Sequence, residues 1–219
     1  MKSVPIGDSI LNFQPLPKGH LTYEIDWSKK PHRNQFVKKG KSLVTIDIQE
    51  DIWIGETFVP QSVWTKIMTT NPSKFRGDTK PVESVSYNEV EVFMDKLNTA
   101  TGLHFRLPTE SEFIYACVLN YDDAFFDTIE ETVWFEKNSN RQTQPVNTKQ
   151  MGKLNLSDVL GNLFHILTAD ITTVRADTCV YRGACWATQK LWVDKDYVMT
   201  MGKERKDNTV GFRLVLASE

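Results

Sequence analysis

The 219-residue chain carries 26 Lys and Arg against 28 Asp and Glu, a formal net charge of −2, with 40% hydrophobic and 25% charged residues. Those proportions belong to a folded protein with one substantial core or at most two small ones. They exclude a disordered chain and leave no global field to draw it to nucleic acid or an anionic membrane.

Three cysteines, Cys117, Cys179 and Cys185, are too few and too odd in number for a disulfide scaffold, so synthesis in a reducing cytoplasm is expected. The first ten residues, MKSVPIGDSI, contain no long apolar core of a signal peptide. No stretch approaches the ~20 apolar residues that cross a bilayer, so a soluble chain without membrane insertion is expected. Pro5, Pro15, Pro17 and Pro31 interrupt any helix over residues 1–42. That region reads as an N-terminal arm or irregular extension, with Ile10, Leu11, Phe13, Leu21, Tyr23, Ile25 and Trp27 available to dock on the domain or on a partner. The basic cluster Lys29, Lys30, Arg33, Lys38, Lys39 and Lys41 reads as a solvated face or the seat of an acidic protein neighbour.

From Leu43, the alternation of Val44, Ile46 and Ile48, then Ile52 and Ile54, predicts two short strands. Pro60 near a first-turn position, followed by Val63, Trp64, Ile67 and Met68, predicts a helix that stops at Asn71-Pro72. A second helix opens on the capping box of Ser86 and Glu89, carries the stripe Val90, Phe93, Met94 and Leu97, and ends at Gly102. A third opens on Thr109 and Glu112 and buries Phe113, Ala116 and Cys117. After Asn120, periodicity is lost for about sixty residues, the mark of functional loops rather than a linker. Strand-like runs return at Cys179–Arg182 and Gly211–Leu216.

Six segments follow one another in a telling order. They are IWIGETFVPQSVWTKIMTTNPSKFRG (52–77), KPVESVSYNEVEVFMDKLN (80–98), GLHFRLPTESEFIYAC (102–117), VWFEKNSNRQTQPV (133–146), LSDVLGNLFHI (156–166), and VYRGACW (180–186) with VGFRLV (210–215). Together they resemble the formylglycine-generating, sulfatase-modifying factor family. The resemblance implies an irregular α+β fold of the C-type-lectin type over residues 43–219, with few regular elements and loops held by calcium.

The chain departs from that family at its chemistry. The oxidase members carry two cysteines, five apart, after the RGGSW-like strand, where soft thiolates bind copper. Those positions fall here on Thr188 and Val193. The family's GNVWEW-like loop reads Gly161-Asn162-Leu163-Phe164-His165-Ile166, with His165 in place of a glutamate that helps hold calcium, a cation that takes hard oxygen ligands. A residual calcium site would draw on Asn138 and nearby oxygens, and calcium is the one cofactor left open. The four histidines, His20, His32, His104 and His165, are scattered, with no i, i+4 pair.

Arg106 and Arg213 read either as carboxylate clamps for a substrate or as structural cations facing Glu110, Glu112 or loop carbonyls. Glu112 is explained by capping, and Glu110 by the positive helix N-terminus. Cys185 reads as a small buried residue beside Trp186. The segment Trp186–Arg205 mixes aromatic and polar residues without core periodicity, as a recognition surface does. Gln189, Lys190, Trp192, Asp194, Tyr197 and Arg205 are its candidate contacts. In the retroelement-diversified variable proteins, which share the implied fold, the corresponding stretch is the one diversified. The expected function is therefore a non-catalytic binding or structural module for a protein or glycan, or for subunits of a larger assembly. A phage or virion component and a diversified variable protein fit this equally. The competing class is a divergent metal-dependent oxidase or oxygenase.

Overall fold

The computed structural model describes residues 1–26, 40–121, 125 and 127–217. Four strands open the chain: β1 (Lys2–Ile6), β2 (Ser9–Leu16), β3 (Gly19–Asp26) and β4 (Lys41–Ile48). After β5 (Ile52–Gly55) come α1 (Gln61–Met68), α2 (Tyr87–Thr101), β6 (Phe105–Arg106), α3 (Glu110–Asn120) and α4 (Ile129–Thr132). The last strands are β7 (Phe164–Leu167), β8 (Thr178–Gly183), β9 (Asp194–Gly202), β10 (Val210–Gly211) and β11 (Val215–Leu216). They form a five-stranded sheet ordered β1-β2-β5-β11-β6, a four-stranded sheet ordered β10-β7-β8-β9, and the hairpin β3-β4.

The opening residues are not an irregular arm. β1 and β2 form an antiparallel hairpin, and β2 pairs with β5 through Phe13↔Gly55 to Leu16↔Ile52, which makes this segment part of the central sheet. The prolines that break a helix are harmless here: Pro5 lies on the edge strand, and Pro15 lies beyond Phe13, where pairing with β1 ends and β2 is itself an edge. Val4, Ile6, Leu11 and Phe13 alternate inward and are buried, and Leu16 is buried on the opposite face. The boundary expected at 42/43 falls inside the β3-β4 hairpin, whose register runs from Gly19↔Ile48 to Asp26↔Lys41. Trp27 and the basic residues 29–39 lie outside the described residues; Lys41 is exposed and its Nζ donates to Glu24 at 2.7 Å.

The helices form where local signals place them. Both capping boxes are complete: Ser86 with Glu89, and Thr109 with Glu112. α1 takes Pro60 as its N-cap and ends at Met68 with left-handed Thr69 as its C-cap, just before the expected stop. Trp64 of α1 stacks on Phe93 of α2 with ring centroids 5.1 Å apart, and Phe212 closes against both rings edge-on. These residues belong to one buried cluster with Phe13, Phe105 and Leu216; Leu16, Ile54, Phe113, Phe135, Val193 and Val215 anchor a second. Adjacent Val215 and Leu216 fall in different clusters, so β11 separates two apolar bodies.

The terminal run expected as one strand over 211–216 is two, β10 pairing with β7 and β11 with β5 and β6. Buried Phe212, Arg213 and Leu214 connect the two sheets. Much of residues 121–163 is irregular, as expected, and is pinned by residues in the left-handed region, among them Asn140, Asn147, Asn155, Asp158 and Asn162.

Candidate binding site

β8 and β9 are antiparallel, with an irregularity between Arg182 and Gly183 where the chain leaves the sheet. The connection folds on itself. Cys185 N–H donates to Thr188 Oγ1 at 2.9 Å, and Thr188 N–H returns to the Cys185 carbonyl at 3.0 Å. A single 3-10 turn, Lys190–Trp192, follows. Val193, fully buried, anchors the connection before β9 begins.

This connection walls a cleft of about 360 Å3 together with one residue of β7 and one of β9. Its lining is Phe164, Cys185, Ala187, Thr188, Gln189, Trp192 and Tyr197. Tyr197 stacks on Phe164 at 5.5 Å and 24°, and Trp192 meets Tyr197 edge-on at 6.0 Å and 65°. Cys185 Sγ accepts from Ala187 N–H and Thr188 Oγ1–H, each at 3.4 Å. Burial raises the Cys185 thiol and the Tyr197 hydroxyl above their ordinary values, so both stay protonated at neutral pH. The walls therefore carry no charge.

Of the six sequence candidates, Gln189, Trp192 and Tyr197 come together here. Lys190 sits on the same turn, exposed and outside the lining. Asp194 starts β9, half-buried, its Oδ1 accepting from Asp196 N–H at 2.9 Å. Arg205 is exposed on the turn after β9 and pairs with Asp207 at 3.4 Å. Residues 194–202, part of the expected recognition surface, are the strand β9. Phe164, Ala187 and Thr188 extend the lining beyond these candidates. Ala187 and Thr188 lie inside the segment 186–205, but Phe164 arrives from a strand more than twenty residues earlier and carries no local signal. Trp186 is half-buried, edge-on to Phe75 at 5.4 Å, with Nε1–H bonded to the Asn208 carbonyl.

The residues at the metal positions suit neither metal. Thr188 and Val193 offer no thiolate for copper, and Val193 lies in the core. His165 is buried against Phe58, ring centroids 4.2 Å apart, and its Nε2 is occupied by the Arg213 guanidinium at 3.0 Å, a neighbour that repels a cation. The Asn138 amide is committed to backbone: Oδ1 accepts from Phe135 N–H at 2.9 Å, and Nδ2 donates to Val133 and Glu130 carbonyls. Among the described residues, no group of three or more His, Cys, Asp or Glu is placed to hold a metal ion.

The two arginines are engaged within the fold, Arg213 fully buried and Arg106 half-buried. Arg106 grips Glu112 through two bonds of 2.6 and 2.7 Å. Arg213 donates to the carbonyls of Gly55, Glu56 and Ser157. Glu110, completely buried, does more than face the positive N-terminus of α3: it accepts from Thr172 and pairs with Arg182 at 2.6 Å.

Residues 28–218 match the family described as Sulfatase-modifying factor enzyme 1-like domain. Among curated proteins, the Chaperone protein LppX of Paenibacillus barcinonensis is 26% identical over 170 residues, covering 52% of the chain. That match takes in 60% of the relative, so the chain spans less than two thirds of its length. Among solved structures, Treponema denticola variable protein 1 superposes with a TM-score of 0.83 at 20% identity, covering 98% of each chain. PvdO from Pseudomonas aeruginosa gives a TM-score of 0.76 at 15% identity over 99% of this chain and 98% of its own. At such identities the likeness is one of fold.

Proposed function

We propose that this chain, which belongs to the sulfatase-modifying factor enzyme 1-like family and carries its C-type-lectin-like α+β fold, is a binding module. The cleft between Phe164, the 3-10 turn and Tyr197 is its recognition face, and the partner is a protein or glycan. The observation that carries this reading is the exchange of chemistry for surface. At the positions where oxidase relatives hold copper stand a core valine and a cleft-lining threonine, and three aromatic rings wall the cleft beside them. Rigid aromatics give large contact area at low entropic cost, which is what a binding face needs. No catalytic role is assigned to any residue. Fold likeness to a protein named as variable supports a recognition role; a virion component and a diversified variable protein both fit that role.

The test immobilises the chain and compares partner retention, from extracts and on glycan arrays, with that of a Trp192→Ala/Tyr197→Ala double variant. Loss of retention in a variant that still melts cooperatively supports the face. Equal retention by both proteins removes it. Stoichiometric copper or iron in protein purified without chelator, together with oxygen consumption, would return the chain to the oxidases.

A further inference from the structure

Building on this recognition reading, we infer that Thr188 is the positioning residue of the recognition face. Its hydroxyl fixes the backbone from which the 3-10 turn presents Gln189, Lys190 and Leu191. Thr188 is buried, whereas Ala187 before it and Gln189, Lys190 and Leu191 after it are exposed. A hydroxyl drawn inward from an exposed run loses its water and is stable there only through the bonds it makes.

Those bonds all go to the chain's own connection. Thr188 Oγ1 accepts from Cys185 N–H at 2.9 Å and donates to Cys185 Sγ at 3.4 Å, a local side-chain-to-backbone closure. The Thr188 N–H returns to the Cys185 carbonyl at 3.0 Å. Its carbonyl accepts from Glu136 N–H at 3.0 Å, which ties the connection to the segment after α4. Upstream, Trp186 N–H donates to the Asn162 carbonyl at 2.9 Å, and the Trp186 carbonyl accepts from Ser139 Oγ at 2.7 Å. Downstream, Trp192 N–H donates to the Gln189 carbonyl at 2.8 Å, and Val193 N–H to the Lys190 carbonyl at 3.2 Å. Among residues 186–193, Thr188 alone contributes its side chain to these bonds.

A single 3-10 turn has strained bond geometry and does not hold itself. Here it is pinned at both ends, by the Thr188 closure before it and by fully buried Val193 after it. The side chains of Gln189, Lys190 and Leu191 take no part in that pinning, so their identity does not set the backbone that carries them. Contact residues on a loop held by a rigid frame are preordered for binding, which spares the ordering cost on association.

The test measures backbone 15N relaxation of the full chain by NMR. In wild type the turn should be as rigid as Ile166 and Tyr181 in β7 and β8. Thr188→Val keeps the side-chain shape but leaves Cys185 N–H without its acceptor. It should drop the order parameters at Gln189, Lys190 and Leu191 from about 0.85 to below about 0.6, while those at Ile166 and Tyr181 stay unchanged. Thr188→Ser, which keeps the hydroxyl, should restore rigidity. A purely global stabilising role would lower the melting temperature and leave the turn rigid, and that result overturns the inference. The Gln189→Ala/Lys190→Ala/Leu191→Ala variant tests the same claim without touching Thr188: its turn should stay rigid, and a mobile turn there also overturns it. On the glycan array and from extracts, this triple variant should retain a different set of species from wild type. An unchanged set, with loss in the Trp192→Ala/Tyr197→Ala variant, overturns the presentation of these three side chains and leaves the recognition face standing. Equal retention by wild type and that double variant overturns the recognition face itself, whatever the relaxation data say of Thr188.

Discussion

Arg213 donates its Nε–H to Nε2 of His165 across 3.0 Å, with both side chains buried. The contact fixes the tautomer: Nε2 accepts, the proton sits on Nδ1, and Nδ1 finds no partner among the described residues. Burial, reinforced by the guanidinium charge, holds the imidazole well below its usual 6.5. The unfolded chain therefore binds a proton below about pH 6.5 that the folded chain does not, and stability falls as pH drops through that value. His165→Gln, whose side-chain oxygen still accepts from Arg213, should flatten this acid slope in denaturant midpoints measured from about pH 7.5 to 5. An unchanged slope would mean the imidazole titrates normally in the folded state.

Asp158 works in the opposite sense. Burial pushes its carboxyl up from 3.8 to about 6, and Oδ1 has no partner among the described residues. The folded state then binds more protons than the unfolded state between about pH 6 and 4, so the cost of the ionised group is largest above pH 6. Asp158→Asn keeps the shape and tolerates the local φ of 53°. It should stabilise the protein by about 1–3 kcal/mol at pH 7.5 and by almost nothing near pH 4, as read by chemical denaturation.

The Arg182–Glu110 pair, 6% and 0% exposed, is a buried ion pair that also bonds Thr172. Burial alone would raise the Glu110 carboxyl, but Arg182 and the Thr172 bonds outweigh it and hold it below the ordinary 4.5. Its contribution is present above pH 4.5 and lost as pH falls through the lower folded value. Glu110→Gln leaves a buried guanidinium without its counter-charge and should cost about 3–5 kcal/mol. The loss should change little between low and high salt, because buried pairs are screened weakly. Combining it with Arg182→Met should recover part of the loss in a double-mutant cycle.

Gly161 holds φ at +86°, and an added Cβ would stand 2.4 Å from Val133 Cγ1 and 2.6 Å from the Trp134 carbonyl oxygen. Gly161→Ala should therefore destabilise by about 2–4 kcal/mol through strain and overpacking together. Gly102→Ala, equally left-handed but with open space around it, should cost less. Equal melting temperatures for the two variants would contradict this.

What the sequence discloses follows from how local each signal is. The helices opened by Ser86 with Glu89 and by Thr109 with Glu112 were legible because a capping box is complete within four residues. The hairpin over residues 2–16 was not, because Pro5 and Pro15 break helices yet sit harmlessly where a strand has a free edge. The apolar run at 211–216 could not reveal that Phe212–Leu214 pass from one sheet to another. At the cleft, the aromatic stretch holding Trp192 and Tyr197 was visible. Phe164, which stacks on Tyr197, comes from another strand. Lys190, Asp194 and Arg205 look alike in sequence, and only the fold shows that Arg205 pairs with Asp207 and Asp194 bonds its own strand. Glu110 and Arg182, seventy-two positions apart, left no trace of their pairing.

Hydroxyl-radical footprinting of the chain alone and bound to its retained partner tests most directly whether partners are held at this cleft. Oxidation of Leu191, Trp192 and Tyr197 should fall severalfold in the complex, while that of Trp53 and Trp134 on other parts of the surface stays unchanged. Undiminished oxidation of all three cleft residues, with protection appearing elsewhere, would contradict the account.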